Sequence, residues 1–197
     1  MTFSPTSIIR LSAKGEPALL TSTTSTYDWV YDDSGSGASS DVTIWRPKAP
    51  DGWFILGDYA QGNYGAPFGS ALLVKATNDD PNNPLIKPPT SYSQVWTDRS
   101  SGGEYDGSIW FPVPPEGYLS VGFVGQLGWS APSIATYACL RRDLVERADA
   151  GQLIWSDQES GANDDVALFQ IVGVANAFVA QANYAPYAGS AYKLKGT

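Results

Sequence analysis

The sequence predicts an all-β fold built from three copies of one module. Two observations carry the prediction. The composition, with Gly 20, Pro 14, Trp 7 and Tyr 11 in 197 residues, favours many short strands joined by tight turns. Hydrophobic residues make up 43% and charged residues 16%, too apolar for a disordered chain and enough for one buried core. The second observation is internal repetition, the signature of an architecture assembled from equivalent units.

Three segments align. The first runs from Trp29 through Asp32-Asp33-Ser34-Gly35 to Asp41-Val42-Thr43-Ile44-Trp45. The second runs from Trp96 through Asp98 and Ser101-Gly102 to Asp106-Gly107-Ser108-Ile109-Trp110. The third runs from Trp155 through Asp157 and Ser160-Gly161 to Asp165-Val166-Ala167-Leu168-Phe169. Downstream, Pro47, Pro50, Gly52 and Ile55-Leu56-Gly57 match Pro112, Pro115, Gly117 and Ser120-Val121-Gly122. Phe178-Val179-Ala180 falls in the same place of the third copy, which lacks these prolines and is one residue shorter. A further loop repeats as Gln61 to Tyr64 and Pro67, Gln126 to Trp129 and Pro132, and Gln181 to Tyr184 and Pro186. The expected organisation is a single domain over 1–197, with modules at about 27–75, 92–145 and 152–195. Each module has room for about four strands of ordinary length.

The individual elements follow from local chemistry. Val42-Ile44 and Trp53-Ile55 alternate apolar with other residues, the period of a half-buried strand. Pro-x-x-Pro-x-Gly ends a strand and reverses the chain, since proline cannot continue a ladder and glycine accepts turn geometry. Arg141 to Ala150, closed by Gly151, carries helix formers and predicts one short helix. Residues 78–89 are a polar, proline-rich connector.

Charge and residue inventory exclude several functions. A net charge of -8 repels phosphate backbones and anionic lipid, so neither nucleic acid nor an acidic membrane is expected as partner. No apolar run approaches the roughly 20 residues of a spanning helix. No basic-then-apolar leader is visible, which predicts a cytoplasmic protein, or one exported without a signal peptide. Histidine is absent, so Ser-His-Asp and Cys-His mechanisms are excluded. The lone Cys139 forms no intrachain disulfide and reads as a small core hydrophobe.

Trp45-x-Pro47 with Pro50-x-Gly52, Ile109-Trp110-x-Pro112-x-x-Pro115-x-Gly117-Tyr118, and Cys139-Leu-Arg-Arg-Asp-Leu-Val145 resemble the vacuolar protein sorting-associated protein 62 family. Related modules close some perforin-like pore-forming proteins. The resemblance covers about residues 28–145 well and the third copy loosely. It implies a β-prism: three four-stranded antiparallel sheets around a pseudo-three-fold axis, which is also what three four-strand modules require. A β-trefoil is the competing fold, but its repeats are shorter. A defensive or toxin-associated role is implied by the resemblance alone. Jacalin-type sugar residues do not carry over, because the glycine-rich N-terminus and its matching aromatic-Asp loop are missing.

In an antiparallel meander the Asp/Ser-Gly loop and the Gln-aromatic loop lie at the same end of each module. That would collect Asp41, Asp106 and Asp165 with Gln61, Tyr64, Gln126, Trp129, Gln181 and Tyr184. Carboxylates and amides bind vicinal hydroxyls, and an aromatic face packs a sugar ring. The expected function is lectin-like recognition of carbohydrate or lipid headgroups, without enzymatic activity, cofactor or metal; Trp129 is the leading stacking residue. A structural role competes: Trp29, Trp96 and Trp155 as core, Asp as turn caps, Gln as loop braces. Calcium is a weaker expectation, on Asp32, Asp33 and Asp41 or on Asp157, Glu159, Asp164 and Asp165. The alternative is a glycan-processing enzyme using paired carboxylates such as Asp98 and Glu104.

Overall fold

The computed structural model describes residues 15–197 and the backbone of the strand Ser7–Ile8. Three antiparallel sheets with one strand plan repeat along the chain. They are Tyr27–Asp32, Thr43–Pro47 and Tyr59–Gln61; Ser91–Thr97, Gly107–Val113 and Val124–Leu127; and Ala150–Ser156, Ala167–Ile171 and Val174–Gln181. The segment closing each module pairs in a second set of sheets. Ala71–Thr77 lies between Ala18–Thr24 and Phe54–Ile55, Cys139–Arg141 between Ile86–Lys87 and Tyr118–Leu119, and Ala191–Leu194 beside Val145–Ala148. The expected three four-stranded sheets are therefore six sheets of two to four strands. In modules 1 and 2 the third strand is broken, its first piece pairing with the closing strand and its second with the central one. The break falls at Gly57 and Gly122, which meet so closely that a Cβ on Gly57 would lie 2.8 Å from the Gly122 Cα.

Register shows which residues are equivalent. Gln61, Gln126 and Gln181 stand opposite Thr43, Ser108 and Ala167. Tyr31, Trp96 and Trp155 stand opposite Ile44, Ile109 and Leu168, each followed toward the strand start by a register shift. The partner of Trp96 and Trp155 is thus Tyr31, two residues beyond the expected Trp29. Ser34-Gly35 imitates the loop motif, whereas Ser36-Gly37 occupies its place. Gly37, Gly102 and Gly161 share φ of +76, +75 and +76, a turn conformation that glycine adopts without Cβ strain. Likewise Phe178-Val179-Ala180 matches Asp58-Tyr59-Ala60 rather than Ile55-Leu56-Gly57.

A ring of backbone hydrogen bonds closes the loop end. Glu104 N–H donates to Ser34 O at 2.7 Å, Asn163 N–H to Arg99 O at 2.9 Å, and Ser39 N–H to Gln158 O at 2.9 Å. Donors lie six residues after, and acceptors one residue after, the repeated Asp. The cycle passes once through every module, as a pseudo-three-fold axis requires. Tyr31, Trp96 and Trp155, each at most 2% exposed, pack beneath it edge to face, with Trp96 6.1 Å from Tyr31 and 5.6 Å from Trp155. Trp45, Trp110 and Phe169 are also equivalent; the last two are buried and Trp45 is half-buried.

The expected helix over 141–150 is absent. Arg142–Leu144 forms one 3-10 turn, and Val145–Ala148 is a strand paired with Ala191–Leu194. Ten residues of helix propensity are worth less than this ladder and the burial of Leu144 and Val145. Among the described residues no helix is long and apolar enough to cross a membrane.

Candidate functional site

The loop end brings the expected residues together. In module 1, Asp33 is 2% exposed, its carboxylate accepting from Val42 N–H at 2.8 Å and the Trp155 indole N–H at 3.1 Å. Asp157, equally buried, accepts from Val166 N–H at 2.8 Å and the Trp96 indole N–H at 2.7 Å. Each indole thus crosses to the next module's acid. The aromatic loops add a donor from outside: Tyr64 O–H to Asp33 at 3.0 Å, Trp129 indole N–H to Asp98 at 2.8 Å, and Tyr184 O–H to Asp165 at 2.9 Å. Burial pushes the Asp33 and Asp157 carboxyls up from the usual range, against the opposing pull of these donors. Burial, then the neighbouring carboxylates, raises the Tyr64 and Tyr184 hydroxyls, so both remain neutral donors at physiological pH.

Asp41, Asp106 and Asp165 are exposed, Asp41 beside Tyr64 and Asp165 bonded to Tyr184. Tyr64 and Tyr184 are 48% and 39% exposed. Trp129 is half-buried, and the Arg99 guanidinium stacks 4.0 Å from its ring centre. A ligand stacking on that ring face would have to displace Arg99. Two of the glutamines brace their own loops: Gln61 donates to Asn63 at 3.0 Å and to Gly65 O at 2.6 Å, and Gln181 donates to Asn183 at 3.0 Å and to Ala185 O. Module 2 has Gly128 where the others have Asn63 and Asn183, and Gly128 N–H donates to Asp106 O at 2.8 Å.

Two participants escaped the sequence reading. Arg99 has Ser34 and Gln158 as counterparts, so repetition gave no sign of it. Tyr31 was hidden by the misplaced alignment. Its hydroxyl is buried without a hydrogen-bond partner, and the Gly107 Cα faces its ring so closely that any Cβ there would collide with it. Val42 and Val166 hold the equivalent place in the other modules.

The stretches 32–41, 98–106 and 157–165 contain ten of the chain's twenty acidic residues and one, Arg99, of its twelve cations. This end therefore carries nine net negative charges, and the rest of the chain is close to neutral. Among the described residues no three His, Cys, Asp or Glu side chains converge as metal ligands. Asp98, 4% exposed, is committed to Trp129, while Glu104 is exposed. Cys139 is buried, which raises its thiol to about 11.

The fold and this end define an all-β, β-prism-like protein whose acid and aromatic loops share one face. The chain belongs to the vacuolar protein sorting-associated protein 62 family, whose profile matches residues 9–184. No curated protein matches it. Among solved structures, GNIP1Aa from Chromobacterium piscinae is similar, at 28% identity and a TM-score of 0.77, over 90% of this chain. The match spans 37% of the GNIP1Aa chain, so the likeness is to one part of a longer protein.

Proposed function

We propose that this chain is a non-enzymatic, lectin-like recognition module that binds carbohydrate, free or as a glycolipid headgroup, at its loop end. The observation that carries the reading is an exposed carboxylate beside an exposed tyrosine in two modules, Asp41 with Tyr64 and Asp165 with Tyr184, with exposed Asp106 at the corresponding place of module 2. Carboxylate oxygens accept from vicinal hydroxyls, and the exposed tyrosine rings offer apolar faces. Nine net negative charges favour neutral or amine-bearing sugars over sulfated or sialylated ones. A defensive or toxin-associated setting is consistent with the family.

A glycan array probed with and without EDTA tests the reading. Binding of uncharged glycans that survives EDTA is expected. Replacing Asp41, Asp106 and Asp165 together by Asn should abolish it with a nearly unchanged melting temperature, because exposed substitutions cost little. An array without signal, or binding unaffected by the triple change, would reject a loop-end site.

A further inference from the structure

The pseudo-three-fold axis creates three equivalent seams, and the chain treats them differently. Between modules 1 and 2 the seam is plugged: Trp29 packs edge-on against Tyr105 at 4.9 Å. Between modules 2 and 3 a hollow of about 420 Å³ is walled by Gln94, Asn163, Asp164 and Asp165. Between modules 3 and 1 lies a groove of about 560 Å³, with Tyr59, Gln61, Phe68, Leu153, Gln170 and Asn176 in its walls and no charged side chain. Trp29, Gln94 and Leu153 occupy the same strand position, one at each seam.

We propose that the groove between modules 3 and 1 is a subsite for a neutral saccharide, receiving uncharged sugar rings of a glycan held at the module 1 loop. The inference rests on the carbohydrate reading above and assigns it a second surface, adjoining the loop end at Gln61. Three features carry it. The groove is uncharged although it descends from the most acidic end of the molecule, so charge selects against anionic sugars and offers cations no partner inside it. Phe68 and Leu153 are 80% and 55% exposed, large apolar surfaces left in water at its walls. Its shape is also preformed. The Asn176 amide donates to Phe68 O at 2.6 Å and to the Tyr27 hydroxyl at 2.7 Å, tying module 3 to the descending loop of module 1. Asn176 does this from a left-handed conformation, φ +51°, which asparagine adopts readily, at the irregularity in its strand's pairing with Gln170 and Ile171. Gln170, exposed at the wall, adds an amide that both donates and accepts. The volume lies within the range of about 300–1,000 Å³ typical of ligand sites.

The test is an NMR titration of the uniformly ¹⁵N-labelled chain with maltohexaose, mannohexaose, cellohexaose, 3′-sialyllactose and a heparin hexasaccharide. A neutral probe is expected to shift the backbone amides of 153–154 and 170–176 and the Gln170 side-chain amide, while the acidic probes leave them in place. Phe68→Ala and Leu153→Glu, both at exposed positions, should each weaken that probe about tenfold at an unchanged melting temperature, as loss of a stacking or apolar wall does. Shifts confined to the surroundings of Asp41, Tyr64, Trp129 and Tyr184, with both variants binding like the parent, would overturn the groove and leave loop-end recognition standing. Shifts nowhere with any probe would overturn both. An acidic probe that moves the groove amides would overturn its selectivity for neutral sugar.

Discussion

Two modules solve one packing problem in opposite ways. In module 1, half-buried Arg46 pairs with Asp58, with Arg46 Nη2 2.9 Å from Asp58 Oδ2 and bonded also to Gly125 O at 2.6 Å. Asp58 is fully buried and additionally accepts from Gly125 N–H at 2.9 Å. The equivalent positions in module 2 are Phe111 and Phe123, whose rings lie 5.2 Å apart. The backbone register is the same in both. Symmetry thus constrains the strands and leaves the contents of each module free, provided a buried charge finds its partner.

Breaking the ion pair should have the largest effect. Arg46→Ala strands a buried carboxylate and is expected to cost about 3–5 kcal/mol, read by chemical denaturation. Copying module 2, with Arg46→Phe and Asp58→Phe together, should restore most of that loss or exceed the parent stability, because apolar replacement of a buried pair is often neutral or favourable. A double variant as unstable as Arg46→Ala would show that the modules are not interchangeable there. Replacing Trp110, buried and equivalent to Trp45, by Ala should cost a comparable ~3–5 kcal/mol.

The axial aromatics give a finer comparison. Trp155→Phe removes the indole donor of Asp33 and should cost roughly 1–3 kcal/mol. Tyr31→Phe removes a hydroxyl that has no partner and should leave stability equal or slightly higher. Equal losses from both would show that Tyr31 is bonded in solution.

The smallest effect concerns pH. Burial raises the Asp157 carboxyl in the folded chain, so its protonated form is favoured by folding. Its contribution is fully present below the ordinary carboxylate value and is lost as pH rises through the raised one. The melting temperature of the parent relative to Asp157→Asn should therefore climb as pH falls from 7 toward 4. A difference independent of pH would mean that the hydrogen bonds from Val166, Trp96 and Tyr184 cancel the burial.

The repeated aromatics, turns and apolar triplets were enough to predict an all-β chain with three modules and to place the Asp and aromatic loops at one end. They sufficed because strand period and turn chemistry are local. The sequence also determined the absence of histidine chemistry and the charge of the loops, since both are inventories. Tertiary structure decided the rest. It moved the module 1 equivalence from Trp29 to Tyr31, because only cross-strand register separates two Ser-Gly pairs two residues apart. It turned a helix-forming run into a strand, because a ladder to Ala191–Leu194 outweighs local propensity. It placed Arg99 on Trp129 and left two seams hollow while plugging the third, because such contacts join residues that are distant in the chain or differ between copies and leave no mark on the repeat.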